Sequence, residues 1–365
     1  MKILIIEPYF TGSHKQWAEG YKKHSSHDIK ILSLKGQFWK WRMHGGAITL
    51  AKMFNAMDWL PDLIFATDML DLNTFLSLTR NKSNGIPTAI YFHENQLSYP
   101  WSPSDRDIKN KRDSHYGFIN YSSALAADKV FFNSEFHMKS FLDALNPFLK
   151  QFPDYQELET IDIIKEKSEV LLLGMDLTRF RKHILIKDSR PNILWNHRWE
   201  YDKNPQYFFR VLKRVKNESN DFGLVILGEN FSKSPKVFEE SKKEFVNQIV
   251  HWGYVDSFEE YAKWLWKSHI IPVTSNQEFF GVSVMEAMYC DVWPIVPNRL
   301  TYPELIPEIF HKNNIYKTEE ELFKKILWSI NNCNDLAQYN IASIPERFDW
   351  RLMSKEYDEK LEATL

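Results

Sequence analysis

A chain of 365 residues, 44% apolar and 26% charged, has material for about two domains of 100–200 residues, each burying its own core. Its 46 Lys and Arg against 48 Asp and Glu leave a net charge of −2, which excludes a globally basic nucleic-acid coat and an acidic disordered tail. Two cysteines, Cys290 and Cys333, exclude a disulfide framework and fit a reducing compartment.

The chain starts MKILIIEPYF, where Glu7 and Pro8 end the apolar run before it reaches signal-peptide length, so it reads as a first buried strand. No run of about 18 apolar residues follows, so no membrane span is expected, and a cytoplasmic protein is. Short apolar runs then alternate with helical spacing, the pattern of parallel α/β architecture. Strands are expected at 2–6, 29–34, 63–67, 88–92, 129–133 and 170–173, then at 192–195, 223–227, 249–253, 270–274 and 293–296. Between them Phe208, Val211, Leu212 and Val215 fall on one helical face. The fold class is therefore α/β with two Rossmann-like domains: 1–177, 178–346 and a C-terminal helix, 347–365, crossing back to the first domain. Ligands of such sheets bind at the carboxyl ends of the strands, so a cleft between the halves is expected.

Three segments carry chemistry. In Ser275–Asn298 a strand empties into a loop with Glu278, a helix starts at Gly281, and Glu286 follows one turn in. Gly281 lets backbone amides approach a ligand, and a helix start seats a diphosphate. Glu286 can accept two ribose hydroxyls, and Glu278, with Phe279 and Phe280 beside it, can reach a sugar. In Trp195–Pro205 another strand ends in Arg198 and Lys203, two cations able to neutralise a leaving diphosphate without a metal; alone, they also read as solvated loop charges. In AIYFHENQLSYPW, His93, Glu94 and Asn95 follow the fourth strand, and the first loop adds Gly12, Ser13, His14 and Lys15. That loop lacks the glycine spacing of a dinucleotide fingerprint.

Lys35–Gly46 interleaves Phe38, Trp39 and Trp41 with Lys35, Lys40, Arg42 and His44, a pattern suited to stacking on bases while contacting phosphates, or else a solvated loop with one aromatic turned inward. Arg106, Lys109, Lys111 and Arg112 add charge near the His93 loop. Asp105-Arg106-Asp107 imitates a metal-binding triplet, but the phosphates already have cationic partners and the histidines lack zinc spacing, so no metal and no cofactor is expected.

The order of Gly12 loop, His93, Arg198 with Lys203, and EFFGVSVMEAM followed by WPIV resembles the retaining nucleotide-sugar glycosyltransferases with two Rossmann-like domains (GT-B). The wording EPYFTGSHKQW, YFHENQLSYPW and LLLGMDLTRF is similar to the tRNA-queuosine mannosyltransferases. The resemblance implies Arg198 and Lys203 on the donor diphosphate, Glu286 on its ribose, and Glu278 with the Phe279–Gly281 backbone on the transferred sugar. It implies His93 as the catalytic cleft histidine and Gly12 lining the phosphates. It also implies GDP-mannose as donor and queuosine-containing tRNA as acceptor. From the basic and aromatic pattern and the loops beside His93, the residues expected on the acceptor side are His14, Lys35, Trp39, Lys40, Trp41, Arg42, Glu94, Asn95 and Arg106. The family often has glycine where this chain has Cys290 or Asp291, and Gly-Arg where it has His197-Arg198. A transferase of envelope lipid or polysaccharide synthesis and a catalytically silent nucleotide- or RNA-binding relative are the alternatives. The oligomeric state is not legible.

Overall fold

The computed structural model describes residues 1–102, 114–219, 221–229 and 235–365. They divide into two compact units, Met1–Asp176 with Phe348–Leu365, and Leu177–Arg347.

The first unit holds β1 (Lys2–Phe10), β2 (Asp28–Lys35), β3 (Leu63–Thr67), β4 (Thr88–Phe92), β5 (Lys129–Phe132) and β6 (Ser168–Val170), in the order β2-β1-β3-β4-β5-β6. Every pairing is parallel. Each residue of β3 and β4 is buried, as it must be when crossover helices cover a parallel sheet and leave no solvent face to alternate with. The second unit holds β7 (Asn192–Trp195), β8 (Gly223–Ile226), β9 (Ile249–Trp252), β10 (Ile270–Pro272), β11 (Trp293–Pro297) and β12 (Ile315–Tyr316), in the order β12-β11-β10-β7-β8-β9. Each order reverses direction once, between β1 and β3 and between β7 and β10. Diverging crossovers leave the strand ends uncovered there, and this is where doubly wound sheets bind ligands.

Element ends differ from expectation for local reasons. β1 continues to Phe10, with an irregular register against β2 between Glu7 and Phe10. β6 stops at Val170 rather than spanning 170–173, and Leu172 instead gives its carbonyl to the Tyr357 hydroxyl at 3.0 Å. β12, two residues long, is too short to leave a periodic signal. The tail helix is Trp350–Glu362, opened by Asp349, whose side chain accepts the Arg351 N–H at 3.1 Å.

That tail is part of the first core. Met175 and Trp350 exchange backbone bonds with Phe348 and Met175 at 2.7 and 2.9 Å. The Trp350 indole, 1% exposed, packs over Gly20 and Gly174, where a Cβ would come within 2.1 and 2.5 Å of its ring. Tyr21 donates to Asp358 at 2.8 Å, and Trp17 donates to Tyr357 at 3.0 Å. No helix among the described residues is long and apolar enough to cross a membrane.

Candidate active site

The loops after β7 and β10 meet through one buried ammonium. Lys203, only 7% exposed, donates to the Gln277 carbonyl at 3.0 Å and contacts Glu278 Oε2 at 3.2 Å and Asp202 Oδ2 at 3.1 Å. Thr274 Oγ1 donates to the Lys203 carbonyl at 2.9 Å and fastens the two loops again. Burial pushes the Glu278 carboxyl up, but Lys203 more than offsets this and holds it below the ordinary carboxylate range. Burial likewise disfavours the Lys203 ammonium, and Glu278 and Asp202 together outweigh it, raising its pKa. Lys203 is therefore the fixed centre of an ionic cluster rather than a solvated cation. Arg198 is the exposed partner, its side chain 48% accessible and 3.3 Å from Glu200.

Just beyond, Gly281 adopts φ +95° and opens the helix Val282–Tyr289 without a side-chain cap. Left-handed backbone at that turn favours glycine, and the helix start presents its first amides at the carboxyl edge of the sheet. Phe279 and Phe280 are 4% and 2% exposed, so their rings are buried and it is their backbone that can line the site. Glu286 is buried, with Oε1 3.2 Å from Arg179 Nη2 and Oε2 accepting from Tyr261 at 2.7 Å. Burial raises its pKa despite those two donors.

The first residues of the β7 loop are held from below. Asn196 donates to the Ser283 carbonyl at 2.8 Å, and His197 Nδ1 lies 2.9 Å from Ser283 Oγ. Burial, aided by Lys203, lowers the His197 pKa to about 4, so this ring is neutral. Gly228, after β8, sits at φ +104°, and a Cβ there would lie 1.9 Å from the His197 carbonyl oxygen. The obstacle is backbone and cannot swing aside. A Gly228→Ala variant is expected to push the Arg198 loop outward and raise the KM for the sugar donor about tenfold or more, since small displacements of positioning groups carry such costs; initial-rate kinetics check this.

The first unit carries a second constellation at its own reversal point. Glu7, at the carboxyl end of β1 and 0% exposed, accepts the Tyr9 N–H on Oε1 at 2.8 Å and lies 3.0 Å from His14 Nδ1 through Oε2. The His14 ring packs on His93 with centroids 4.3 Å apart. The His93 N–H donates to Asp68 Oδ1 at 2.8 Å, and its carbonyl accepts from Asn133 at 2.9 Å. A carboxylate oxygen of Glu7 and ring nitrogens of His14 and His93 all lie within 4.8 Å of one another, a cluster that linear spacing conceals. Gly12, exposed at φ +51°, starts the helix Gly12–His24 beside it.

The expected acceptor residues divide. Lys35–Gly46 is not a loop throughout, because the helix Trp39–Asn55 begins inside it. Trp39 packs into a small cluster with Met43, Met69, Tyr116 and Ile119. The Lys40 ammonium sits 5.5, 5.1 and 5.8 Å from the rings of Trp39, Trp101 and Tyr116. Arg42 donates to the Lys35 carbonyl at 3.0 Å. Trp41 stays 63% exposed and Phe38, at φ 55°, 75% exposed; these are the available stacking surfaces. Asn95 is fully buried: its Oδ1 accepts the Leu97 and Ser98 N–H groups at 3.1 and 2.9 Å and shapes the turn, while its Nδ2 is buried with no hydrogen-bond partner among the described residues. Glu94, half-buried, accepts from Gln96 at 3.0 Å. Arg106 and the Asp105–Asp107 triplet lie outside the described residues.

Sequence reasoning missed Glu7, Asp68, Arg179, Asp202, Tyr261 and Gly228. A polar residue closing an otherwise apolar strand was the available signal for Glu7 and Asp68. For Arg179, Tyr261 and Gly228 the partner lies far along the chain, as Glu286 does from Arg179, and Asp202 shares its neighbour Lys203 with the distant Glu278.

Two parallel α/β units, with ionic and helix-start chemistry at the strand-order reversal of the second, define the two-domain fold of nucleotide-sugar glycosyltransferases. Solved structures agree in fold: a sucrose-phosphate synthase from Thermosynechococcus elongatus (TM-score 0.71, 12% identity, covering 99% of this chain and 98% of that one), and Anabaena Alr3699/HepE in complex with UDP and glucose (TM-score 0.68, 15% identity, 100% of both chains). Residues 176–343 match the family described as Glycosyl transferases group 1, and residues 2–175 match that described as tRNA-queuosine alpha-mannosyltransferase N-terminal. The tRNA-queuosine alpha-mannosyltransferase of Drosophila melanogaster is 35% identical over 95% of this chain and 88% of its own length. The chain belongs to the tRNA-queuosine alpha-mannosyltransferase family.

Proposed function

We propose that the protein is a cytoplasmic, retaining, metal-independent mannosyltransferase that moves mannose from GDP-mannose to the queuosine base in the anticodon of tRNA-Asp. The observation that carries this reading is the likeness to the fly enzyme across nearly the whole chain, the first unit included. The second unit supplies the donor chemistry. Exposed Arg198 and the amides at the Gly281 helix start take the diphosphate, and Glu286 takes the ribose hydroxyls. Lys203 keeps Glu278 ionised and oriented for the sugar.

In front-face transfer the acceptor hydroxyl oxygen bonds to the anomeric carbon while the sugar–phosphate bond breaks. The electron pair leaves on GDP, and a phosphate oxygen takes the acceptor proton. No protein nucleophile is needed. On the acceptor side, exposed Phe38 and Trp41 offer ring faces and Lys40 and Arg42 local positive charge, so a near-neutral protein can hold RNA through a patch.

The test offers GDP-mannose, GDP-glucose, UDP-galactose and UDP-glucose with queuosine-containing and queuine-lacking tRNA. One hexose should appear on the modified nucleoside with GDP-mannose and queuosine-containing tRNA alone. No gain with any donor would move the reading to envelope lipid or polysaccharide synthesis.

A further inference from the structure

We infer that Glu7 is a positioning residue that holds His14 as an imidazolium against a neutral His93, leaving His14 Nε2–H to donate to an oxygen of the bound acceptor. The inference rests on the transferase reading above and assigns a role to a residue that the reading does not use.

The carboxylate is fixed before any ligand arrives. Glu7 is fully buried, and each of its oxygens has a partner: the Tyr9 N–H on one, His14 Nδ1 on the other. A buried carboxylate needs such compensation, and with Nδ1 donating to it the imidazole has only Nε2–H left to offer. The His14 side chain keeps 12% of its surface exposed, at the reversal point of its sheet.

His93 cannot share the charge. Two imidazolium rings 4.3 Å apart would repel, and Trp17 and Tyr91 enclose His93 at ring distances of 4.7 and 4.9 Å. Its Nε2 is buried without a hydrogen-bond partner, which a neutral ring tolerates far better than a charged one. The ionisable groups around the pair are Glu7 from β1, Asp68 after β3, Glu94 after β4 and, toward His93, His137 from the helix Glu135–Leu149.

The electrostatics agree with this geometry. Burial opposes charge on His14, but Glu7 foremost, with Asp68 and Glu94, outweighs it and raises the His14 pKa to about 9, whereas burial and His14 together hold His93 well below its usual value. The His14 charge is thus present through neutral pH. Its contribution to stability is complete below the free imidazole value near 6.5 and is lost as pH rises through about 9.

The experiment compares the wild type with Glu7→Gln, His14→Gln and the double variant, each checked by thermal unfolding. Histidine titration followed by NMR should place His14 near pH 9 in the wild type and well below that in Glu7→Gln, where only Asp68 and Glu94 still oppose burial. This arm stands whatever the donor or acceptor proves to be. In mannose transfer to queuosine-containing tRNA at pH 8, each single variant should lose about 10- to 100-fold in kcat with KM for GDP-mannose unchanged, and the double variant should be no worse. The Glu7→Gln loss should shrink toward pH 6, while the His14→Gln loss should not. An unmoved His14 titration, multiplicative losses in the double variant, or stoichiometric zinc that survives chelation in the wild type and vanishes in His14→Gln would overturn the inference.

Discussion

A Lys203→Met variant is expected to be destabilised by about 3–5 kcal/mol and to lose donor-dependent transfer altogether. The methionine nearly matches the lysine in volume, so the loss comes from charge. Asp202 is 2% exposed and Glu278 mostly enclosed, and removing the ammonium leaves two close carboxylates in a site that excludes water, the situation in which breaking a buried pair costs most. The Gln277 carbonyl and the two-loop junction lose their anchor together. Urea denaturation gives the stability change, and calorimetric titration with GDP gives the binding change. A variant as stable as the wild type would show that the three charged groups are better solvated than their burial implies.

Glu278→Gln separates chemistry from binding. The amide keeps the shape and can still accept from Lys203, but in the proposed transfer it carries no negative charge beside the sugar whose anomeric carbon would become cationic in the transition state. Turnover should fall about 100-fold while the dissociation constant for GDP changes by less than about threefold, the signature of an interaction made chiefly in the transition state. Equal losses in turnover and GDP affinity would instead assign Glu278 to the maintenance of the Lys203 cluster.

The strand ladder was legible because parallel strands covered on both faces are short unbroken apolar runs, and these stood out at 63–67, 88–92 and 192–195. The Glu278–Gly281–Glu286 segment was legible for a similar reason: loop, glycine and helix follow one another in the chain. What stayed hidden depends on side-chain direction. At Phe279 and Phe280 both rings are buried, which leaves the backbone as the part that can meet a ligand. Asn95 read as a substrate contact, and only the fold shows that its Oδ1 is committed to its own turn while its Nδ2 is left buried and unpartnered among the described residues. Lys203 read as a loop cation, and only the fold shows Asp202 and Glu278 converging on it. Where the family often has glycine, Asp291 adopts φ 58°, so the departure at that position keeps the backbone conformation although not the residue. At His197 a different solution holds: the glycine that permits close approach stands at Gly228 on the neighbouring strand end.

The seat of Trp350 over Gly20 and Gly174 bears on the order in which the protein can be made. The first unit is discontinuous in sequence, completed by Phe348–Leu365 after the whole of Leu177–Arg347 has been synthesised. During translation its sheet can assemble, but the groove that receives Trp350, and the bond that Trp17 gives to Tyr357, remain open until Phe348–Leu365 has left the ribosome. Domains synthesised first usually fold first; here the unit begun first is the last to close. Some of its closing contacts span more than 300 residues, as the Tyr21–Asp358 separation of 337 records, and such long-range contacts slow folding. The interval before that segment emerges is therefore one in which the first unit of the nascent chain is open to chaperones and proteases.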